Sequence, residues 1–338
     1  MKVGFTFDLK SEWPSGPNDP VDVNAELDSE KSVNEISAAL EAGGHEVVRI
    51  GNVKKLMSLL PDPGVDIVFN ICEGYYGRNR ESQVPVLLEM NGVPFVGSDA
   101  LTLGLTLDKM LAKKCFIADG VPTPRFFSAA CEDDCRQAEN FQFPLIVKAR
   151  FEGTSKGLSQ SSRVKDMEEL KRQVALINTT YGQPALVEEF ITGFEFTVPV
   201  IGNADARAMP AVQVCIDNSV NLGEKFYSYE MVKSSKLRYV CPPQAEEKLI
   251  KKLRELAVKA FHSVDCRDVG RVDFRVDAQG NPYVLEINPL PNLGREDVFD
   301  IFPKVIGSTY EKAVNQILEI AARRNGIQVK SAQAAQAC

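Results

Sequence analysis

Apolar positions in the first hundred residues fall into two alternating periods. KVGFTF, HEVVRI and PFVGS are short apolar-rich runs that predict strands. DIVFNICEG is an unbroken apolar run that turns polar at its end, the pattern of a parallel strand buried on both faces. SEKSVNEISAALEAGG places Val33, Ile36 and Leu40 at helical spacing and stops at Gly43 and Gly44, which predicts a helix. VKKLMSLLP and ESQVPVLLEMNG predict two more. Alternating strands and helices imply an open α/β unit, whose ligands gather at the carboxyl ends of its strands. That rule directs attention to Asp8 and to residues 73–81.

From LTLDKMLAKKCFIADG onward the pattern changes. A helix carrying Asp108 and Lys109 leads through VPTPRF to the strand FPLIVKAR, the glycine-bearing loop FEGTSKGLS, a helix at DMEELKRQVALI and the strand PALVEEFI. Long strands dominate after that: GFEFTVPVIG, ARAMPAVQVC, VGRVDFRVD and NPYVLEIN, with helices at EKLIKKLRELAVKAFHSV and TYEKAVNQILEIAARR. SAQAAQAC, residues 331–338, reads as a disordered tail. No repeat of solenoid length is present.

The chain of 338 residues is 44% hydrophobic and 25% charged, enough apolar material for two or three cored domains. Its net charge of −7 argues against a non-specific nucleic-acid binder but not against a local basic pocket. No apolar run approaches the roughly 18 residues of a membrane span, and an acidic residue follows the N-terminus too closely for a signal peptide. The eight cysteines show no zinc spacing, since Cys131 and Cys135 lack a second pair, and they read as reduced thiols of a cytoplasmic protein. With only His45 and His262 available, a histidine-based triad has little to work with.

Candidate chemistry lies where strands end. Lys148 closes FPLIVK, and GTSKG five residues on supplies Gly153, Thr154, Ser155, Lys156 and Gly157. Glycines let backbone amides approach phosphate oxygens. The spacing is not that of a Walker loop, and alone it also fits a surface turn; with Lys148 and Lys109 it becomes a phosphate clamp. LVEEFITGFEF offers Glu188, Glu189 and Glu195, either a solvated acidic edge or acceptors for ribose hydroxyls. Arg271 and Asp273 share one face of GRVDFRVD, because strand residues two apart point the same way. The turn DAQGNP brings the next strand back antiparallel, so Glu286 and Asn288 converge on Asp273. Two carboxylates and an amide suit a hard cation such as Mg²⁺, and an arginine beside them suits metal-bridged phosphates.

The order of these motifs, DK, then VK with GTSKG, then EEF-I-x-G-x-EF, then GRVDF, then LEIN, resembles the ATP-grasp enzymes of the D-alanine–D-alanine ligase-like branch over roughly residues 65–320. The resemblance implies an α/β and α+β architecture: an N-terminal open α/β domain over 1–105, a central ATP-grasp lobe over 106–187, a C-terminal lobe with the metal site over 188–328, and a tail over 329–338. It implies ATP as nucleotide, with Lys109, Lys148 and the loop of Gly153, Thr154 and Ser155 on its phosphates. Glu188, Glu189, Phe190 and Ile191 would form the adenine hinge, and Glu195 would bind ribose. Asp273, Glu286 and Asn288 would hold two Mg²⁺ ions, for which Mn²⁺ can substitute. Arg271 would be catalytic, stabilising the transferring phosphoryl group, and Lys233 or Lys236 would serve a mobile loop. The implied reaction is ATP-dependent joining of a carboxylate to an amine through an acyl phosphate. Its partners are small-molecule carboxylate and amine substrates, with no nucleic acid and no membrane, and a homodimer is an allowed assembly.

The substrate half departs from the family pattern. CEGYYGRNRESQ stands where the family has His-Gly…Gly-Glu-Asp-Gly, with Glu73 at the histidine position and Arg78 at the glutamate position. Arg78 or Arg80 is expected to grip a substrate carboxylate, since a guanidinium fork matches it, with Glu73 facing an ammonium or hydroxyl. LPNLGREDVFD replaces the stretch after the metal ligands, which makes Asn292 and Asp300 candidates there. The expected enzyme is a ligase of the same reaction class with a different substrate. The authentic dipeptide ligase, an imine-forming ligase and a catalytically silent ATP-binding protein are the alternatives.

Overall fold

The computed structural model describes residues 1–329 except Pro14, Lys233, Ser235 and Glu296. The tail expected over 331–338 therefore lies outside the described residues. Three sheets organise the chain. The first is parallel, in the order Glu46–Gly51, Lys2–Thr6, Ile67–Asn70, Phe95–Val96. Helices join its strands, as the alternating pattern requires. Helix Glu30–Ala42 begins at a reciprocal Ser29–Ser32 cap and buries Val33, Ile36 and Leu40.

The second sheet is antiparallel, in the order Phe126–Ala129, Ala185–Glu189, Leu145–Ala149, Arg163–Val164. Helix Met167–Tyr181 covers it with Leu170, Val174 and Ile177. The third is a seven-stranded sheet built around Gly193–Gly202, which pairs with Asp268–Val276 on one side and Val212–Ile216 on the other. The run ARAMPAVQVC, expected as one strand, is two, Arg207–Ala208 and Val212–Ile216. Pro210 lies in the break, where a residue without an N–H cannot donate to a ladder.

Cores cross the expected domain boundaries. Helix Tyr310–Arg324 buries Val314, Ile317 and Leu318 in the same cluster as Val33, Leu40, Phe5 and Phe69 of the first unit. Asn315 Nδ2 donates to the Ala39 carbonyl at 2.7 Å across that contact. Helix Lys109–Ala118 likewise sends Ala112 and Phe116 into the core of the seven-stranded sheet, against Phe261 and Phe274. The last helix thus ties the chain's end to its beginning, and the Lys109 helix ties the second sheet's segment to the third. These ties hold the strand ends around one central cavity.

Candidate active site

The site starts from a register. The turn between Asp268–Val276 and Pro282–Asn288 is held by Asp277, whose Oδ1 accepts from the N–H groups of Gln279 at 3.0 Å and Asn281 at 2.8 Å. Gly280 supplies the left-handed conformation there, φ 78°. The strands then pair with Arg271 opposite Asn288 and Asp273 opposite Glu286. A slip of one residue in the second strand would turn Glu286 and Asn288 to the other face, away from Arg271 and Asp273.

Asp273 Oδ1 accepts from Thr197 Oγ1 at 2.6 Å and Arg271 Nε at 3.1 Å. Its Oδ2 accepts from Arg271 Nη2 and Asn288 Nδ2, both at 3.0 Å. Glu286 Oε2 lies 3.6 Å from Lys109 Nζ. Burial pushes the Glu286 carboxyl up, but Lys109, Lys148 and Arg271 outweigh it and hold the group below its usual range. It is therefore ionised at neutral pH and needs no proton loss to ligate a cation. The donor set fits Mg²⁺: two carboxylates and an amide oxygen from adjacent strands are hard ligands. Among the described residues no group of three or more His, Cys, Asp or Glu side chains is arranged to hold a metal ion by itself. Two carboxylates leave most of a six-oxygen shell to be supplied by waters or a bound phosphate, the usual Mg²⁺ arrangement.

Two lysines meet one buried glutamate beside this pair. Lys148 Nζ donates to Glu188 Oε2 at 2.8 Å, and Lys113 Nζ lies 3.0 Å from Glu188 Oε1. Lys113 also donates to Thr123 Oγ1 at 2.6 Å. Burial depresses Lys113 to about 8, whereas Glu188 outweighs burial and raises Lys148. Lys148 and Glu188 are diagonal neighbours on adjacent strands, since Glu188 pairs with Ile146. Expected as a hinge residue, Glu188 spends its side chain on the lysines, 1% exposed. Lys113 went unread because KMLAKKCFIA presents three lysines on a helix, and only packing selects the one that turns inward.

Beyond Glu188, Phe190 and Ile191 line the cavity with Glu195. Arg275 donates to the Ile191 carbonyl at 2.9 Å and to Glu195 Oε2 at 3.1 Å, which fixes the loop between the two strands. The Phe190 ring packs between the guanidinium groups of Arg163 and Arg275, each 5.2 Å from its centroid. Glu189 also borders the cavity and pairs with Arg125 at 3.0 Å.

The glycine-bearing loop carries Thr154 and Ser155 at φ 48° and 56°, with Gly157 at 75°. Left-handed residues in succession turn backbone amides into a concave anion site, at a steric cost for Thr154. Carboxylates hold that loop here. Glu26 accepts from the Gly153 N–H and lies 3.2 Å from Lys156 Nζ. Asp22 Oδ2 accepts from the Gly157 N–H at 2.8 Å and from Tyr181 Oη at 2.9 Å. Neither acid carries a signal in the sequence, because both arrive from a segment more than 120 residues away.

The substrate side corrects several expectations. Arg80, 5% exposed, lies 2.8 Å from Glu26 and 3.2 Å from Glu152 and donates to the Phe151 carbonyl at 2.9 Å. Arg78 pairs with Asp108 at 3.0 Å over the Phe151 ring. Neither lines the cavity: the Arg80 fork is spent on the chain's own acids, and Arg78 uses one nitrogen on Asp108 with its side chain 61% exposed. Glu73 and Asn292 do line it. Asp300 does not: its partners are Lys304 at 2.6 Å and Arg295 at 3.6 Å. Asp297, three residues earlier, faces the cavity 3.8 Å from Arg271. Lys233 lies outside the described residues, and Lys236 points to Asp217 at 3.6 Å.

Lys109, Lys148, Arg271, Asp273, Glu286 and the glycine-bearing loop border one cavity of about 540 Å³. Comparison with known proteins follows the same outline. The family described as "D-ala D-ala ligase C-terminus" matches residues 118–319. The chain is 37% identical to the uncharacterised protein y4sG of Sinorhizobium fredii over 86% of this chain and 88% of that one. It is 30% identical to a D-alanine–D-alanine ligase of Pelotomaculum thermopropionicum, over 86% and 90%. Among solved structures, a D-alanine–D-alanine ligase from Bacillus anthracis complexed with ATP has a TM-score of 0.73 at 21% identity, covering 96% of this chain and 98% of that one. The VanG D-Ala:D-Ser ligase from Enterococcus faecalis has a TM-score of 0.74 at 19% identity, covering 95% and 99%. These last two share the fold.

Proposed function

Since this chain belongs to the D-alanine–D-alanine ligase family and is an ATP-grasp ligase, we propose that it joins a carboxylate to the amine of an amino acid or amino-acid-like metabolite other than the D-alanine pair. The observation that carries the reading is the facing pair Asp273 and Glu286, in one cavity with Lys109, Lys148 and Arg271. ATP is the phosphoryl donor. On this reading Phe190, Ile191 and Glu195 hold adenosine, and Lys109, Lys148 and the Thr154 and Ser155 amides hold the phosphates, with the Gly153 N–H anchoring the loop on Glu26. Asp273, Glu286 and Asn288 would hold Mg²⁺, which when bound would supply positive charge to the transferring group. The substrate carboxylate attacks the γ-phosphorus, giving an acyl phosphate and ADP. The amine then displaces phosphate and forms the amide. Arg271 stabilises the negative charge that develops on oxygen in both steps. Enclosure of the cavity keeps water from the acyl phosphate.

A substrate other than the D-alanine pair is favoured by the acids that border the substrate side, Glu73 and Asp297. No helix of the described residues is long and apolar enough to cross a membrane. The seven cysteines among the described residues are free thiols, which supports a cytoplasmic setting.

The nucleotide assignment has a direct thermal test. At a hundredfold excess over its Kd a ligand stabilises by about 2.7 kcal/mol. ATP with Mg²⁺ should raise the melting temperature well above the value with GTP, because the loop 189–191 presents fixed backbone groups to the base. Equal shifts with ATP and GTP would remove the adenine assignment.

A further inference from the structure

Glu81 is the anomaly of the cavity wall. It is 8% exposed, lines the cavity, and has no hydrogen bond or ion pair among the described residues. Glu73 borders the same space, also without a hydrogen bond among the described residues. The cations close by are engaged elsewhere. Arg80 is shared between Glu26 and Glu152, Lys156 binds the same two acids, and Lys109 donates to the Glu152 carbonyl and faces Glu286. An uncompensated carboxylate pair inside a protein is costly unless a cation joins it. The chain therefore keeps two acids at a position where they lower stability and where a ligand can reach them.

Resting on the ligase reading above, we propose that Glu73 and Glu81 form a subsite for a second positive charge on the substrate, so that the substrate is a diamino acid or a diamine rather than a monoamino acid. The reacting amine must be neutral to attack, so a subsite for a charged group serves a different nitrogen. Glu26 cannot provide it, because Arg80 and Lys156 already neutralise it. Electrostatics agree with the geometry. Burial raises Glu81 to about 8, with Glu26 and Glu152 adding to the shift and Arg80 and Lys109 opposing it. Burial also raises Glu73 well above its usual range, helped by Glu81, Glu26 and Asp28 against Arg80. With its carboxyl at about 8, Glu81 holds its proton at neutral pH in the empty subsite, and a cation that binds there displaces it.

Calorimetry without turnover tests this. Lysine and 1,4-diaminobutane, with alanine and 1-aminobutane as controls, are titrated into the full chain with Mg²⁺ and a non-hydrolysable ATP analogue. ADP formation from ATP is scored in parallel with each probe. A diamino probe should bind at least tenfold more tightly than its monoamine control, and Glu81→Gln and Glu73→Gln should each erase that preference. Unliganded Glu81→Gln should also melt higher than wild type at pH 8.5. A carboxyl whose folded pKa lies above its unfolded value loses stability as pH rises between the two, and the amide escapes that loss. A residue with a merely structural role would melt lower. Equal binding of mono- and diamino probes, or a preference that survives both substitutions, overturns the subsite. Diamine binding without ADP formation upholds the subsite and removes the ligase reading. ADP formation with monoamino substrates and no diamine preference does the reverse.

Discussion

Glu286→Gln is expected to form ADP about 10²- to 10³-fold more slowly than wild type, the usual loss when one preorganised electrostatic contact is removed. The amide keeps the size of the side chain and removes its charge, so the neighbours of Glu286 stay packed while the proposed metal site loses an anionic ligand. Glu286 faces the cavity with a side chain 26% exposed, and water can solvate Lys109 after the substitution. The melting temperature should therefore move little, and ATP should still raise it. The deficit belongs to kcat, since the contact matters most where charge develops on the transferring phosphoryl group. Steady-state ADP formation over a Mg²⁺ series gives the answer. Comparable rates at saturating Mg²⁺ would show that the facing pair does not hold the metal.

Glu188→Ala should destabilise the fold at neutral pH by about 3–5 kcal/mol, the cost of leaving a buried charge without its partner. Two lysines lose their counter-ion together, Lys113 at 0% exposure and Lys148 on the cavity wall. The loss has a pH signature. Burial already depresses Lys113 to about 8, and without Glu188 it falls further. A lysine with a folded pKa below its unfolded value makes stability rise with pH between the two. The deficit should thus be largest near pH 7 and shrink toward pH 10. Urea unfolding of both proteins at pH 7 and pH 9.5 measures it. A deficit below 1 kcal/mol at pH 7 would mean that the lysines find other partners.

What could be read in advance follows from how local each cause is. The register of Asp273 against Glu286 was legible because a short turn and an alternating pattern set it within twenty residues. The first sheet was legible for the same reason, with helices stopping at glycines and strands turning polar at their ends. Arg80 was misread because its partners Glu26 and Glu152 lie 54 and 72 residues away, and ion-pair choice at that range is made by packing. Nothing in LPNLGREDVFD, a stretch with no periodic pattern, says that Asp297 rather than Asp300 borders the cavity. The last helix was assigned to the third lobe by order in the chain, but its apolar face matches Val33 and Leu40 of the first helix and packs there. The glycine-bearing loop was found, and its carboxylate partners Glu26 and Asp22 were not, since nothing in VDVNAELD distinguishes a loop anchor from a solvated acid.

The central claim is that a substrate carboxylate is activated by phosphorylation. It is tested most directly by incubating the protein with ATP, Mg²⁺ and amino- and diamino-acid pairs labelled with ¹⁸O in the carboxyl group, then weighing the inorganic phosphate by mass spectrometry. Attack on the γ-phosphorus followed by displacement carries one substrate oxygen away with phosphate. The account predicts that the pair yielding ADP and amide also yields phosphate bearing a single ¹⁸O. ADP and product accompanied by unlabelled phosphate would contradict it.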